Sequence, residues 1–532
     1  MTHANTTRLY ARLILSRIRR SIALTRPLRV ALILGVLVFW SLLINCLAPF
    51  YVRGPAADAP EAAFKARLDQ AAPRILKQYG VPGMAIGTVI HGDPGQVYVY
   101  GLADVARGRP ITPRTVFRVA SLSKSVTAWG VLTLVDAGKV KLDQPVERYL
   151  GGWPLAPSKF PSREVTVRGL LTHTSGLDAG DDEFRKPGEP AATPPQLLRR
   201  EGPVIDGRPT EAALTGPAGK TFVYSVPGYT LLQMMIEHQS GRPFGAYMKE
   251  AVLKPLGMTS SGFDWDPALR ERTATPYLAN RRADEVWIPQ DAAADGMFST
   301  VGDMVQFVAA PMPGQGLPTG AGVISDTAAS QLFLRPSSFQ KSRAEALGPD
   351  APCLGCFIEH GDGGPAFITN AGADPGWTSE IHIVPATGDG IVVLTNSSRG
   401  SPAIAQVEAI WTDWRGLPAP QVTRSFRSLG LFAVTVVALA SLLTIAAGFG
   451  CLNEIVVGTR RFGAFHGQAV MKSLLEWTLA AALAWPFFLM REVIGILPRF
   501  AMISESILIC LVLAVVARAL FPERKAGALA AA

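Results

Sequence analysis

The chain has 532 residues, of which 48% are hydrophobic and only 17% charged, and its mean hydropathy is +0.23. A soluble domain carries about 25% charged residues, so this composition excludes a disordered chain and points to lipid for part of the sequence. Five cysteines exclude a disulfide-stapled scaffold. The net charge of +9 sits at the two ends: residues 1–30 hold seven arginines and no acid, residues 451–532 carry +3, and the stretch between is left at −1. The basic balance is therefore a topology signal, and it gives no argument for nucleic acid as a partner.

In chain order, residues 1–27 read as a basic cytoplasmic N-terminus, followed by an acid-free apolar run over 28–50 that is long enough to cross a bilayer as a helix. This run is either an uncleaved anchor or a signal cleaved near Ala56-Ala57, and both place residue 60 onward outside the cytoplasm. A Pro/Ala-rich linker over 53–63 leads into a domain at 66–415. Strand-like runs fall early (84–90, 97–100) and late (381–384, 391–394) around a helical block, a pattern that predicts an α+β domain with one antiparallel sheet whose ends meet. Residues 178–219, rich in Pro, Gly and charge, read as a surface excursion, and 403–426 as a second linker. Three further apolar segments follow at 429–452, 473–490 and 501–520, and then a tail over 521–532. Arg460, Arg461 and Lys472 between the first two segments, and Arg524 and Lys525 in the tail, become cytoplasmic if the domain is outside. The expected whole is a multi-pass protein of the cytoplasmic (inner) membrane, with the bilayer as a partner and the domain on its periplasmic or extracellular side.

Ser121-Leu122-Ser123-Lys124 is the first stretch with chemistry in it. On a helix, residues three apart share a face, so Ser121 and Lys124 come within hydrogen-bond reach. An amine beside a hydroxyl can make it a nucleophile. The spacing recurs at Ser338-Phe339-Gln340-Lys341, in a polar stretch read as loop. The first copy leads into Leu122, Val126, Trp129, Leu132 and Val135 at helical spacing, which end at Gly138, so it heads a buried helix. Cys353 and Cys356 form a lone Cys-X-X-Cys, which reads as a local disulfide or two free thiols. Without a second pair it is not a zinc site. No metal and no cofactor is expected.

The stretch Phe117-Arg-Val-Ala-Ser-Leu-Ser-Lys124 resembles the active-site segment of the serine β-lactamase and penicillin-binding-protein superfamily, in its class C-like branch. Further stretches match in order: Ile111–Phe117, Val167–Leu177 (with Thr-His-Thr-Ser-Gly), Phe222–Tyr229, Pro255–Met258, Gly296–Met304 and Thr395-Asn396. The resemblance implies an antiparallel sheet flanked by helices with an all-helical subdomain. It implies Ser121 as acyl-enzyme nucleophile, Lys124 as its proton partner and Tyr224 as a phenol that shuttles protons. It also implies an oxyanion hole from the N–H groups of Ser121 and Ala373.

Two positions depart from the family's pattern. Val226 stands where the family has Asn two residues after the Tyr, and Asn370-Ala371-Gly372 stands where it has Lys-Thr-Gly or His-X-Gly. Val226, Asn370 and Gly372 are thus the expected substrate-binding positions, with a neutral amide in place of a cation that holds a substrate carboxylate. That argues against a standard penicillinase and suits an uncharged, amide-bearing group. An exported catalytic domain followed by three membrane helices is similar to the prodrug-maturing peptidases of nonribosomal-peptide pathways, which remove an N-acyl-D-asparagine cap. The expected partner is accordingly an acylated peptide or other amide or ester substrate. A β-lactamase, a D-alanyl-D-peptidase or an esterase is the alternative within the superfamily, and a non-catalytic binder or sensor the alternative outside it. His173 is expected to serve as a hydrogen-bonding turn residue.

Overall fold

In a computed structural model of the chain, residues 53–428 are described, save 58, 181–182, 200–211, 313–318, 338, 340–348, 361–363, 422 and 426–427. The four apolar segments, the basic N-terminus, the C-terminal tail and most of the second Ser-X-X-Lys copy lie outside the described residues. Among the described residues no helix is long and apolar enough to cross a membrane.

The chain runs α1 (Glu61–Tyr79), β1 (Gly83–Ile90), β2 (Asp93–Asp104), β3 (Arg109–Pro110), β4 (Val116–Arg118), α2 (Leu122–Asp136), α3 (Val167–Leu171), β5 (Phe184–Arg185), α4 (Pro194–Arg199), α5 (Val226–Ser240), α6 (Phe244–Met248), α7 (Pro267–Arg272) and β6 (Ile288–Pro289). It continues α8 (Ala292–Asp295), β7 (Phe298–Thr300), α9 (Val301–Ala309), α10 (Asp326–Leu332), β8 (Ala351–Cys353), β9 (Cys356–His360), β10 (Ala366–Asp374), β11 (Trp377–Val384), β12 (Asp389–Thr395) and α11 (Ser401–Arg415). Eight strands form one sheet in the order β3-β2-β1-β12-β11-β10-β9-β8. The first and last parts of the domain meet at its centre, where Met84 of β1 lies opposite Thr395 of β12 in an antiparallel pair. The domain is α+β, with an antiparallel sheet and helices.

The sheet divides the helices into two layers. On the front, α9 packs on β1 and β12, and α2 is buried on every side over Leu122–Leu132, as befits a helix in mid-core. On the back lie α1 and α11. In α1, Phe64, Leu68, Ala72, Ile75 and Tyr79 make one apolar stripe, and Phe64 stacks on Trp414 of α11 at 4.3 Å. The 403–426 stretch is thus no linker as far as Arg415. Pro402 stands in the first turn of α11, where a missing N–H disturbs nothing, and Ile404, Val407, Ile410, Trp411 and Trp414 are buried. Likewise α1 begins inside the 53–63 linker.

Candidate active site

Ser121 is the N-cap of α2, half-buried, and Lys124 lies one turn on and is fully buried. Lys124 Nζ donates to Ser121 Oγ at 3.0 Å. Tyr224 reaches the same oxygen from the loop ahead of α5, its hydroxyl donating to Ser121 Oγ at 2.7 Å. That loop is set by the helix start: Ser225 caps α5 by accepting from the N–H of Gly228. His173, with φ at 57°, accepts at Nδ1 from the N–H of Ser225 at 3.0 Å, and its ring stacks on Tyr224 at 4.3 Å. The hydrogen-bonding role read for His173 is therefore a positioning role for the phenol.

A fourth group completes the cluster. Ser121 Oγ donates to Asp295 Oδ1 at 2.7 Å, and Lys124 Nζ lies 3.1 Å from Asp295 Oδ2. The sequence reading passed over Asp295, although it directly precedes the Gly296–Met304 motif. An acid directly beside a family-like motif was the available signal. Burial works against the Lys124 ammonium, but the charge of Asp295 and the hydrogen bonds to Asp295 and Tyr224 outweigh it and hold the group above its ordinary range. Burial pushes the Tyr224 phenol up more than Lys124 pulls it down. Burial and Lys124 push His173 well below its ordinary value, so its ring is neutral.

The other expected site residues fall around this cluster. Strand β10 loses its β9 neighbour after Thr369, so the backbone of 370–374 is an open edge beside Ser121. Gly372 is needed there: a Cβ would stand 2.4 Å from the carbonyl oxygen of Val119, two residues before Ser121. Ala373 is the next residue on that edge and is exposed. Asn370 is buried, and its Nδ2 faces the carbonyl of Ser121 at 3.0 Å, Ser125 Oγ at 2.8 Å and the carbonyl of Gly355 at 3.3 Å. Its NH2 thus holds the backbone of Ser121. Val226 is the first residue of α5 and is buried.

Cys353 and Cys356 are joined as a disulfide, which decides between the two alternatives left by the sequence. The turn they close carries Gly355 at φ +70°, where a Cβ would lie 2.6 Å from the carbonyl of Lys124. Ser125 Oγ donates to the Gly355 carbonyl at 2.6 Å, so the disulfide turn braces α2 next to Ser121.

Comparison with known proteins gives a consistent picture. The family model described as Beta-lactamase matches residues 66–411. A penicillin-binding protein 4 of Amycolatopsis lactamdurans is 28% identical over 326 residues, covering 60% of this chain and 82% of that protein. Esterase EstB of Burkholderia gladioli is 31% identical over 243 residues, covering 42% of this chain and 57% of the esterase. Among solved structures, an octameric penicillin-binding protein homologue from Pyrococcus abyssi superposes with a TM-score of 0.54 at 25% identity, covering 66% of this chain and 78% of that one. A class C β-lactamase shares the fold at a TM-score of 0.53 and 22% identity, over 67% of this chain and 98% of that one.

Proposed function

The chain belongs to the beta-lactamase family, and from that premise we propose that it is a membrane-anchored serine hydrolase that forms an acyl-enzyme on Ser121. One observation carries the reading: a half-buried serine hydroxyl receives hydrogen bonds from both an ammonium and a phenol, at 3.0 and 2.7 Å. Two donors aimed at one oxygen stabilise the charge that grows on it during attack. Ser121 Oγ bonds to the carbonyl carbon of an amide, the C–N bond breaks, and the amine departs with a proton. Water then cleaves the ester and returns the hydroxyl. The same cluster argues against a non-catalytic binder, which has no use for it.

The substrate we infer is an exported peptide precursor that loses an N-acyl-D-amino-acid cap. The amide at Asn370 turns inward, so the open edge of β10 offers backbone groups and no side-chain cation. A substrate carboxylate has no ammonium to meet there, whereas a neutral acyl side suits it. The apolar segments over 28–50 and 429–520, with their flanking Arg and Lys, support a multi-pass anchor with the domain on the outer side of the inner membrane. There an acyl chain concentrates in the bilayer close to the site.

The test compares metabolites of cells carrying the native chain and Ser121→Ala. The variant is expected to accumulate an uncleaved acylated precursor. Identical profiles would sink the maturation reading, and turnover of a β-lactam or a simple ester in its place would favour a lactamase or an esterase.

A further inference from the structure

We propose that Asp295 is the catalytic base of this site, taking the proton of Ser121 as the hydroxyl attacks. The inference rests on the acyl-enzyme reading above and goes beyond it, because it removes that duty from the lysine.

The argument starts from counting hydrogens. The Ser121 hydroxyl has one hydrogen and two lone pairs. Tyr224 Oη and Lys124 Nζ both donate to it, which fills the lone pairs. Its own hydrogen goes to Asp295 Oδ1 at 2.7 Å. Lys124 Nζ faces acceptors on every side: Ser121 Oγ, the Ala294 carbonyl at 3.1 Å, and both Asp295 oxygens at 3.1 and 3.2 Å. Three hydrogens are needed to serve them, so the nitrogen is an ammonium and has no lone pair to offer. The upward displacement of both Lys124 and Tyr224 agrees with this. Among the described residues Asp295 is the one acceptor that the serine proton meets.

The carboxylate is also held in place, as a base must be. The backbone around it is tied to neighbouring helices by side chains of α2 and α5. Thr127 Oγ1 donates to the Ala293 carbonyl, Gln233 Oε1 accepts from the Ala293 N–H, and Ser123 Oγ accepts from the Met297 N–H. The buried side chains of Lys124 and Asp295 form an ion pair at 3.1 Å that orients the carboxylate.

In the first half-reaction, the Ser121 proton passes to Asp295, one of the two donors releases its lone pair on Ser121 Oγ, and that pair forms the O–C bond as the carbonyl π pair moves onto oxygen. The proton then goes to the leaving nitrogen as the C–N bond breaks, restoring the carboxylate. In the second half, water gives a proton to Asp295 while its oxygen attacks the ester, and Ser121 Oγ recovers that proton on leaving.

The experiment uses the full chain in detergent, with a fluorophosphonate probe for Ser121 labelling and p-nitrophenyl butyrate for turnover. Asp295→Asn keeps the shape and removes the proton acceptor. The expected result is a loss of about 10²–10⁴-fold in labelling rate and kcat, with KM within about threefold. Asp295→Asn within about threefold of the native rate, or faster, overturns the proposal, since a lysine freed of its carboxylate would then be the base. If circular dichroism shows Asp295→Asn unfolded, the isosteric pair Asp295→Glu and Asp295→Gln decides. Glu at least about tenfold faster than Gln supports the proposal, and equal rates overturn it. A native chain that the probe leaves unlabelled removes the acyl-enzyme reading and this inference together. Labelling of the native chain with unimpaired Asp295→Asn removes only the inference.

Discussion

The front and back of the sheet each hold a cluster in which a cation is buried against carboxylate, and the two clusters differ in what else the cation touches. On the front, Lys124 pairs with Asp295 and also donates to a hydroxyl that is half-buried and open to a reactant. On the back, Nε2 of His382 on β11 lies 3.1 Å from Glu380 and 2.9 Å from Glu408 of α11, all three fully buried. Burial disfavours the His382 cation, but Glu408 and Glu380 outweigh it and hold the ring well above its ordinary range. Burial and the nearby Glu408 push the Glu380 carboxyl up to about 7. Thr423 donates to Glu408 at 3.2 Å, and the backbone N–H of Gln421 donates to the neighbouring Glu359. The back cluster therefore fastens α11 and the chain beyond it to the sheet. Desolvated charge is costly on both sides, and of these two clusters only the front one also reaches a half-buried serine hydroxyl.

The sharpest way to break this comparison is to remove the cation from each side. Lys124→Met and His382→Leu both leave buried carboxylates without a counter-charge, and each is expected to cost about 3–5 kcal/mol in denaturant unfolding. Only Lys124→Met should also abolish labelling of Ser121. His382→Leu, assayed on the folded fraction, should label within about threefold of the native rate. Equal loss of labelling in both would mean that the two clusters are one coupled unit.

Next in size is Asn370→Ala, which removes the amide spanning Ser121, Ser125 and Gly355. Loss of these bonds is expected to cost about 1–3 kcal/mol of stability. It should also lower kcat about tenfold, through a nucleophile held less firmly. A fall in stability with unchanged kcat would make Asn370 a brace for the fold alone.

The smallest effect concerns pH on the back. An unfolded glutamate titrates near about 4.3, whereas folded Glu380 does so near about 7. The folded state thus holds a proton that the unfolded chain releases. That contribution is fully present below about pH 4.3 and is lost as pH rises through about 7. His382 has the same sign, with its contribution present below about 6.5 and lost only as pH passes its raised folded value. Glu380→Gln should therefore lessen the fall in Tm between about pH 4.5 and 7.5 by a few degrees. Parallel Tm profiles for native and variant would show that Glu380 is ionised throughout.

Some of this was legible in the sequence because it is local. Ser121 and Lys124 share a face by helical spacing alone, and the helix that follows them is read from its apolar residues. Tyr224 is legible only through the resemblance of the stretch 222–229 to a family segment, itself contiguous in sequence. The apolar runs at 84–90 and 391–394 foretold strands, and their position at the two ends of the domain foretold that the ends of one antiparallel sheet meet, as β1 and β12 do.

The rest is a matter of long-range docking. Asp295 is 174 residues from Ser121, on a one-turn helix whose approach to α2 has no periodic trace. Asn370 looked like a substrate contact by its place in a motif, and only packing shows its NH2 turned toward the nucleophile's backbone. Glu380, His382 and Glu408 read as scattered polar residues until β11 and α11 meet. Sequence determines which groups are within a turn of one another, because backbone geometry repeats over three or four residues. Which carboxylate stands beside which cation is fixed by the burial of apolar faces around them, and that is decided only when the whole sheet and its two helical layers close.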